Sequence, residues 1–163
     1  MTRDTHLRFL RAHQPMPDNP PPHILTGYKA TTEFFYKHPE PEVIPLYLQS
    51  FAQWEDDRVY ESVQSVLRRF SREKVVPHLK TGLTQTNPTI RFWCADTVRF
   101  FPDPSLADGL GLMLREGDVA LRLVAASALE QIRTAQAARI AADAIRTETD
   151  EDVREILAAI VAD

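Results

Sequence analysis

The chain has 163 residues, 44% of them apolar and 26% charged, the composition of one ordinary soluble domain rather than of a disordered or fibrous protein. Nineteen lysines and arginines against 23 acids give a formal charge of -4, so the molecule's field repels phosphate backbones and anionic membranes, and nucleic acid is a disfavoured partner. No apolar run nears the roughly 18 residues that span a bilayer, the opening MTRDTHLRFL lacks the apolar core of a signal peptide, and the single Cys94 excludes an internal disulfide and a multi-cysteine zinc site; the expectation is a cytoplasmic protein with no membrane partner.

Thr2 to His13 reads as a separate N-terminal helical segment, because Pro15, Pro17, Pro20, Pro21 and Pro22 follow it closely and favour an extended linker. This divides the chain into residues 1–25 and a domain over 26–163. Residues 26–38 pattern as one helix, with Tyr28, Thr32, Phe35 and Tyr36 on its core side. The remaining prolines, 39, 41, 45, 77, 88, 102 and 104, mark places where helices start or stop. From Thr81 onward there are fifteen alanines, eight arginines and no lysine, the composition of close-packed helices. No strand pattern with turn signals occurs, and the fold class is all-α.

Four blocks superpose at a step of 31 to 32 residues, each a helix pair. The pairs are expected at 42–54 with 57–70, 73–85 with 88–101, 104–116 with 119–132, and 135–147 with 151–162. First helices carry an i, i+4, i+8 stripe: Val43, Tyr47, Phe51; Val75, Leu79, Leu83; Leu106, Leu110, Leu114; Ala137, Ala141, Ile145. Second helices carry core residues at offsets 0, 4, 7 and 8: Val59, Val63, Val66, Leu67; Ile90, Cys94, Thr97, Val98; Leu121, Ala125, Ala128, Leu129; Val153, Leu157, Ile160, Val161. Three residues before each second-helix stripe stands a capping side chain, Asp56, Asn87, Asp118 or Asp150. One residue after the first core position stands Tyr60, Arg91, Arg122 or Arg154.

The stretches DVALRLVAASAL (118–129), DEDVREILAAI (150–160) and NPTIRFWCADTV (87–98) resemble short bacterial HEAT-like repeats of the type named after the phycobilisome lyase subunits. DDRVYESVQSVL (56–67) keeps the cap and core, with Tyr60 where the others have arginine. The resemblance covers residues 41–163 and implies an α-α superhelix of about four helix pairs, with 26–38 as a half-repeat cap. In such solenoids the second helices line the concave side, so a partner is expected there. At 100° per residue, the face opposite the stripe holds offsets 2, 5, 6 and 9. It offers Glu61, Ser65, Arg68, Phe92, Asp96, Arg99 and Glu130, with Trp93 flanking Phe92. These are residue types that carry binding energy in protein interfaces, and the alternative is that Phe92 and Trp93 are core residues of a wider groove. Arg91, Arg122 and Arg154 are expected to reach the capping Asn87, Asp118 or Asp150 of an adjacent block, a structural ladder.

Catalytic constellations are missing. His6, His13, His23, His38 and His78 include no i, i+4 pair and none precedes a glutamate, so no metal site is expected. There is no glycine-rich phosphate loop and no Gly-x-Ser-x-Gly, and Cys94 falls at a core position where a thiol is an inert small hydrophobe. No cofactor is expected and the protein is read as not an enzyme. The leading class is a non-enzymatic protein-binding module, an adaptor or an immunity-type inhibitor. The resemblance also implies two alternatives, an accessory subunit akin to chromophore lyases and DNA binding akin to HEAT-like alkylpurine glycosylases. The latter ranks last because it needs a basic face, and this one sets Arg68 and Arg99 against Glu61, Asp96, Glu130 and Glu155.

Overall fold

The computed structural model describes residues 2–53 and 58–162. Every regular element among them is helical: α1 (Arg3–Ala12), α2 (Pro22–Lys37), α3 (Val43–Ser50), α4 (Arg58–Leu67), α5 (Arg72–Gly82), α6 (Pro88–Thr97), α7 (Ala107–Glu116), α8 (Val119–Glu130), α9 (Ala135–Ile145) and α10 (Glu151–Ala162), with short 3-10 turns over Val98–Phe100 and Pro104–Leu106. The chain divides into two compact units, Met1–His78 and Leu79–Asp163, the boundary falling inside α5.

In the first unit α1 packs on α2 and α3, and α2 on α4. Thr2 caps α1 by accepting from the Thr5 amide, and His6, Leu7 and Leu10 form its single buried face. The proline-rich stretch does not run extended: it bends at Gln14 and Pro15 and again at Asp18 and Asn19, where φ is 51°, and it is held to the unit, for Met16 is buried and its amide donates to Ser50 O at 3.0 Å. The helix after it begins at Pro22, with proline in the first turn where its missing N–H costs nothing. The division expected after residue 25 therefore falls within α2. Rings dominate this core: Tyr28 lies edge-on to Tyr47 and Tyr60 at centroid distances of 6.1 and 6.5 Å, and Phe51 edge-on to Tyr60 at 5.1 Å. α3 stops at Ser50, short of the expected 54, because Phe51 turns to an extended backbone with ψ 132°. The expected cap Asp56 lies outside the described residues.

In the second unit α7 pairs with α8 and α9 with α10, while α8 packs on α6 and α10, and α7 on α9. The α7–α8 turn is only Gly117 and Asp118, which forces antiparallel neighbours. The caps act as expected: Asn87 Oδ1 accepts from the Thr89 and Ile90 amides at 2.9 and 3.3 Å, Asp118 Oδ1 from Leu121 at 2.9 Å, and Asp150 Oδ1 from Val153 at 3.1 Å. Leu110, Leu129, Ala141 and Leu157 are fully buried. At the end of α5, a Cβ on Gly82 would sit 2.3 Å from Cys94 Sγ, so only glycine admits α6 this closely.

Three expected core positions are not core. Tyr36 and Val161 are each 48% exposed and Ile145 is only half-buried. All three stand at i+8 of their stripe, about 80° round the helix from its first residue at 100° per residue. That edge is covered only where a neighbouring helix overlaps it, as at the buried Leu67, Val98 and Leu129. Pro77 was expected at a helix boundary and instead lies inside α5.

Candidate functional site

The repeated arginine position is where the sequence signal is strongest, and its contacts differ from the expected ladder. Arg91 Nε donates to Leu83 O at 3.2 Å, Arg122 Nη1 to Gly117 O at 3.0 Å, and Arg154 Nη1 to Ile145 O and Glu148 O at 3.1 and 2.8 Å. None of these bonds ends on Asn87, Asp118 or Asp150. A helical side chain leans toward its own N-terminus, so an arginine four residues after the cap reaches back to the end of the preceding helix. There the last carbonyls lack intrahelical donors. Tyr60 occupies the same position in α4 and serves the same junction with the opposite polarity, its hydroxyl accepting from the Ala52 amide at 2.9 Å. Burial pushes the Tyr60 phenol up to about 12, keeping it neutral.

Arg122 makes a second contact that the sequence reading missed. Its Nε and Nη2 donate to Glu148 Oε2 and Oε1 at 2.8 and 3.0 Å. Oε1 also accepts from the amides of Thr149 and Asp150 at 2.9 and 2.8 Å. The Arg122 guanidinium holds the Glu148 carboxyl below the usual range, and the carboxylate in turn raises Arg122. This pair, with Arg115 and Asp143, lines a cavity of about 450 Å³. The residue matching Glu148 in the preceding block, two before Asp118, is Glu116, which is exposed. Arg91 has no such bidentate partner among the described residues, and its Nη2 is buried without a hydrogen bond.

The residues expected on the partner face divide between the two units. In the first, Glu61 is exposed on α4 and Arg68 is exposed just past its end, while Ser65 is half-buried, its hydroxyl donating to Glu61 O at 3.1 Å. In the second, α6 presents Phe92 half-buried, and Asp96 meets Arg99 at 3.3 Å in an i, i+3 pair. The Arg99 guanidinium also stacks 4.8 Å from the Phe100 ring centroid. On α8, Leu123 is exposed. Glu130 instead lines a cavity of about 510 Å³ with Arg133, Thr134 and Ile160.

Trp93 needs correction: it is only 9% exposed and belongs to the core, edge-on to Phe92 at 5.6 Å. It lies about 40° round α6 from Thr97 at 100° per residue, close enough to the stripe to be buried with it. Offset 5 is buried at Gln64, Ala95 and Ala126 and exposed at Ala158, which narrows the open face of the first three blocks to offsets 2, 6 and 9.

Burial raises the Cys94 thiol well above its ordinary value, the state of an unreactive core sulfur. Among the described residues no three His, Cys, Asp or Glu side chains gather as a metal site would require, and no helix is long and apolar enough to cross a membrane. No protein-family model matches the chain, and no curated protein is significantly similar to it.

Proposed function

We propose that the chain is a non-enzymatic protein-interaction module of the HEAT-like type, a cytoplasmic adaptor or inhibitor that binds a partner protein through the open faces of its second helices. The observation that carries this reading is the set on α6 and the 3-10 turn that follows it. Phe92 and Asp96 differ from the matching residue of every other block, and Arg99 is matched only by Arg68, while the cap, core and arginine positions around them keep the repeat. Residues free of the stack are those a repeat protein can vary for binding, and an aromatic beside an arginine is the pairing that dominates interface energies. Neighbouring α8 adds the exposed Leu123. The packing of α8 on α6, α7 and α10, with α7 on α9 and α9 on α10, supports the solenoid reading.

Affinity capture from cells that make the protein, followed by mass spectrometry, tests this with wild type and a Phe92→Ala/Arg99→Ala variant in parallel. A partner enriched by wild type and lost from the folded variant supports the reading. Capture unaffected by the two substitutions contradicts it.

A further inference from the structure

A second surface, in the first unit, lies between two packed helices, α2 and α4. Lys29, Thr32, Glu33 and Tyr36 of α2 face Ser62 and Ser65 of α4 across a groove of about 240 Å³ floored by Val59. That volume is below the roughly 300 to 1,000 Å³ of small-molecule pockets, and suits one or two side chains of a peptide. Its largest wall is Tyr36, an aromatic ring nearly half exposed, held by the Arg69 guanidinium 5.5 Å from its centroid. The charges here oppose those of the whole molecule. Glu33 is neutralised by Lys37 at 2.6 Å, whereas among the described residues neither Lys29 nor Arg69 enters an ion pair. A chain of net charge -4 thus sets two cations that enter no ion pair among the described residues, Lys29 and Arg69, beside a slot floored by Val59, with one exposed acid, Glu61, on the adjoining turn of α4.

We propose that this groove takes an acidic peptide segment of a partner protein, with one aromatic or large aliphatic side chain seated against Tyr36 and carboxylates beside Lys29 and Arg69. The inference rests on the reading of the chain as an interaction module and names the chemistry of what it binds. Thr32 and Ser65 hydroxyls donate to carbonyls of their own helices, Tyr28 O and Glu61 O. Recognition therefore falls to the ring and the two cations, and fast, salt-sensitive association follows from the charge.

The test is selection of short random peptides displayed on phage, using the full chain at low salt. Fluorescence anisotropy of the enriched peptides follows, with wild type, Tyr36→Ala, Lys29→Glu/Arg69→Glu and the groove-filling Ser62→Trp. The expected result is enrichment of acidic sequences bearing one bulky apolar residue. Affinity falls tenfold or more in Tyr36→Ala and in the charge-reversed variant, weakens with salt, and is unchanged in Phe92→Ala/Arg99→Ala. Ser62→Trp gives the same loss without removing Tyr36, which keeps the test valid should Tyr36→Ala fail to fold. Enriched peptides without acidic bias overturn the proposal. So does binding indifferent to both Tyr36→Ala and Ser62→Trp, or a dimer in ultracentrifugation that these substitutions disrupt. Loss of the α6 capture result alone would refute the α6 face and leave this groove standing.

Discussion

Arg122 and Glu148, 26 positions apart, meet in a bidentate pair in which the side chains are only 19% and 4% exposed. The carboxylate sits in the turn before α10, and it also holds the two amides that lead into that helix. One side chain therefore ties α8 to the start of α10.

Because Arg122 lowers the Glu148 carboxyl below its ordinary 4.5, the pair's stabilisation is fully present above that value and is lost as pH falls through the lower, folded one. Glu148→Gln is expected to cost about 1.5 to 3 kcal/mol at neutral pH, as for hydrogen bonds to charged groups. It should also flatten the acid limb of stability. Denaturant unfolding between neutral and acid pH checks both, and wild type and variant curves that run parallel would contradict the assignment.

His6 tests the docking of α1. Its Nδ1 lies 2.9 Å from Thr31 Oγ1 and its ring stacks 4.5 Å from Phe34, and burial lowers its pKa below the ordinary 6.5. The folded state favours the neutral ring, so stability is full above 6.5 and declines as pH falls through the lower folded value. The thermal midpoint of wild type should drop more between neutral and mildly acid pH than that of His6→Gln, which keeps a hydrogen-bonding side chain and does not titrate. Equal drops would show that His6 is not held neutral.

Gly82→Ala is expected to destabilise by about 1 to 3 kcal/mol, the cost of overpacking, since its Cβ would collide with Cys94 Sγ. Adding Cys94→Ala should recover part of that loss. Additive effects in the double-mutant cycle would mean that the two sites are not in contact.

Leu129 and Val161 hold the same offset in their repeats but opposite environments, fully buried and half exposed. Leu129→Ala should cost about 2 to 5 kcal/mol through the cavity it leaves, and Val161→Ala less than about 0.5 kcal/mol. Similar losses at the two positions in denaturant titrations would refute the burial pattern.

The all-helical fold was legible because its signals are local. A cap such as Asp118 acts over three residues, and a stripe such as Leu121, Ala125, Ala128 and Leu129 is set by helix geometry. What depended on neighbours was not legible. The width of a buried stripe at Tyr36, Ile145 and Val161, the burial of Trp93, and the carbonyls that Arg91, Arg122 and Arg154 find are decided by helices distant in sequence. Glu148 lies in the polar turn RTETD, where nothing local separates a buried carboxylate from a solvated one. Of the expected partner face, Phe92 and Asp96 share α6 and Arg99 stands in the 3-10 turn directly after it, and that part follows from periodicity alone. The exposure of Tyr36 could have been found only by asking which position at the stripe's edge lacks a covering helix.

The most direct measurement is a calorimetric titration of the captured partner into wild type and into Phe92→Ala/Arg99→Ala, with the thermal midpoint of each recorded. Interface anchors typically carry 2 kcal/mol or more when truncated, about a thirtyfold loss of affinity, while Arg99, half-exposed in its pair with the partly buried Asp96, contributes little to folding. The account predicts that binding falls by about that factor or more with the variant still folding cooperatively and its midpoint lowered only modestly, since Phe92 is half-buried against Trp93. Wild-type affinity in the double variant, or a loss of binding that merely follows a lowered midpoint, would contradict it.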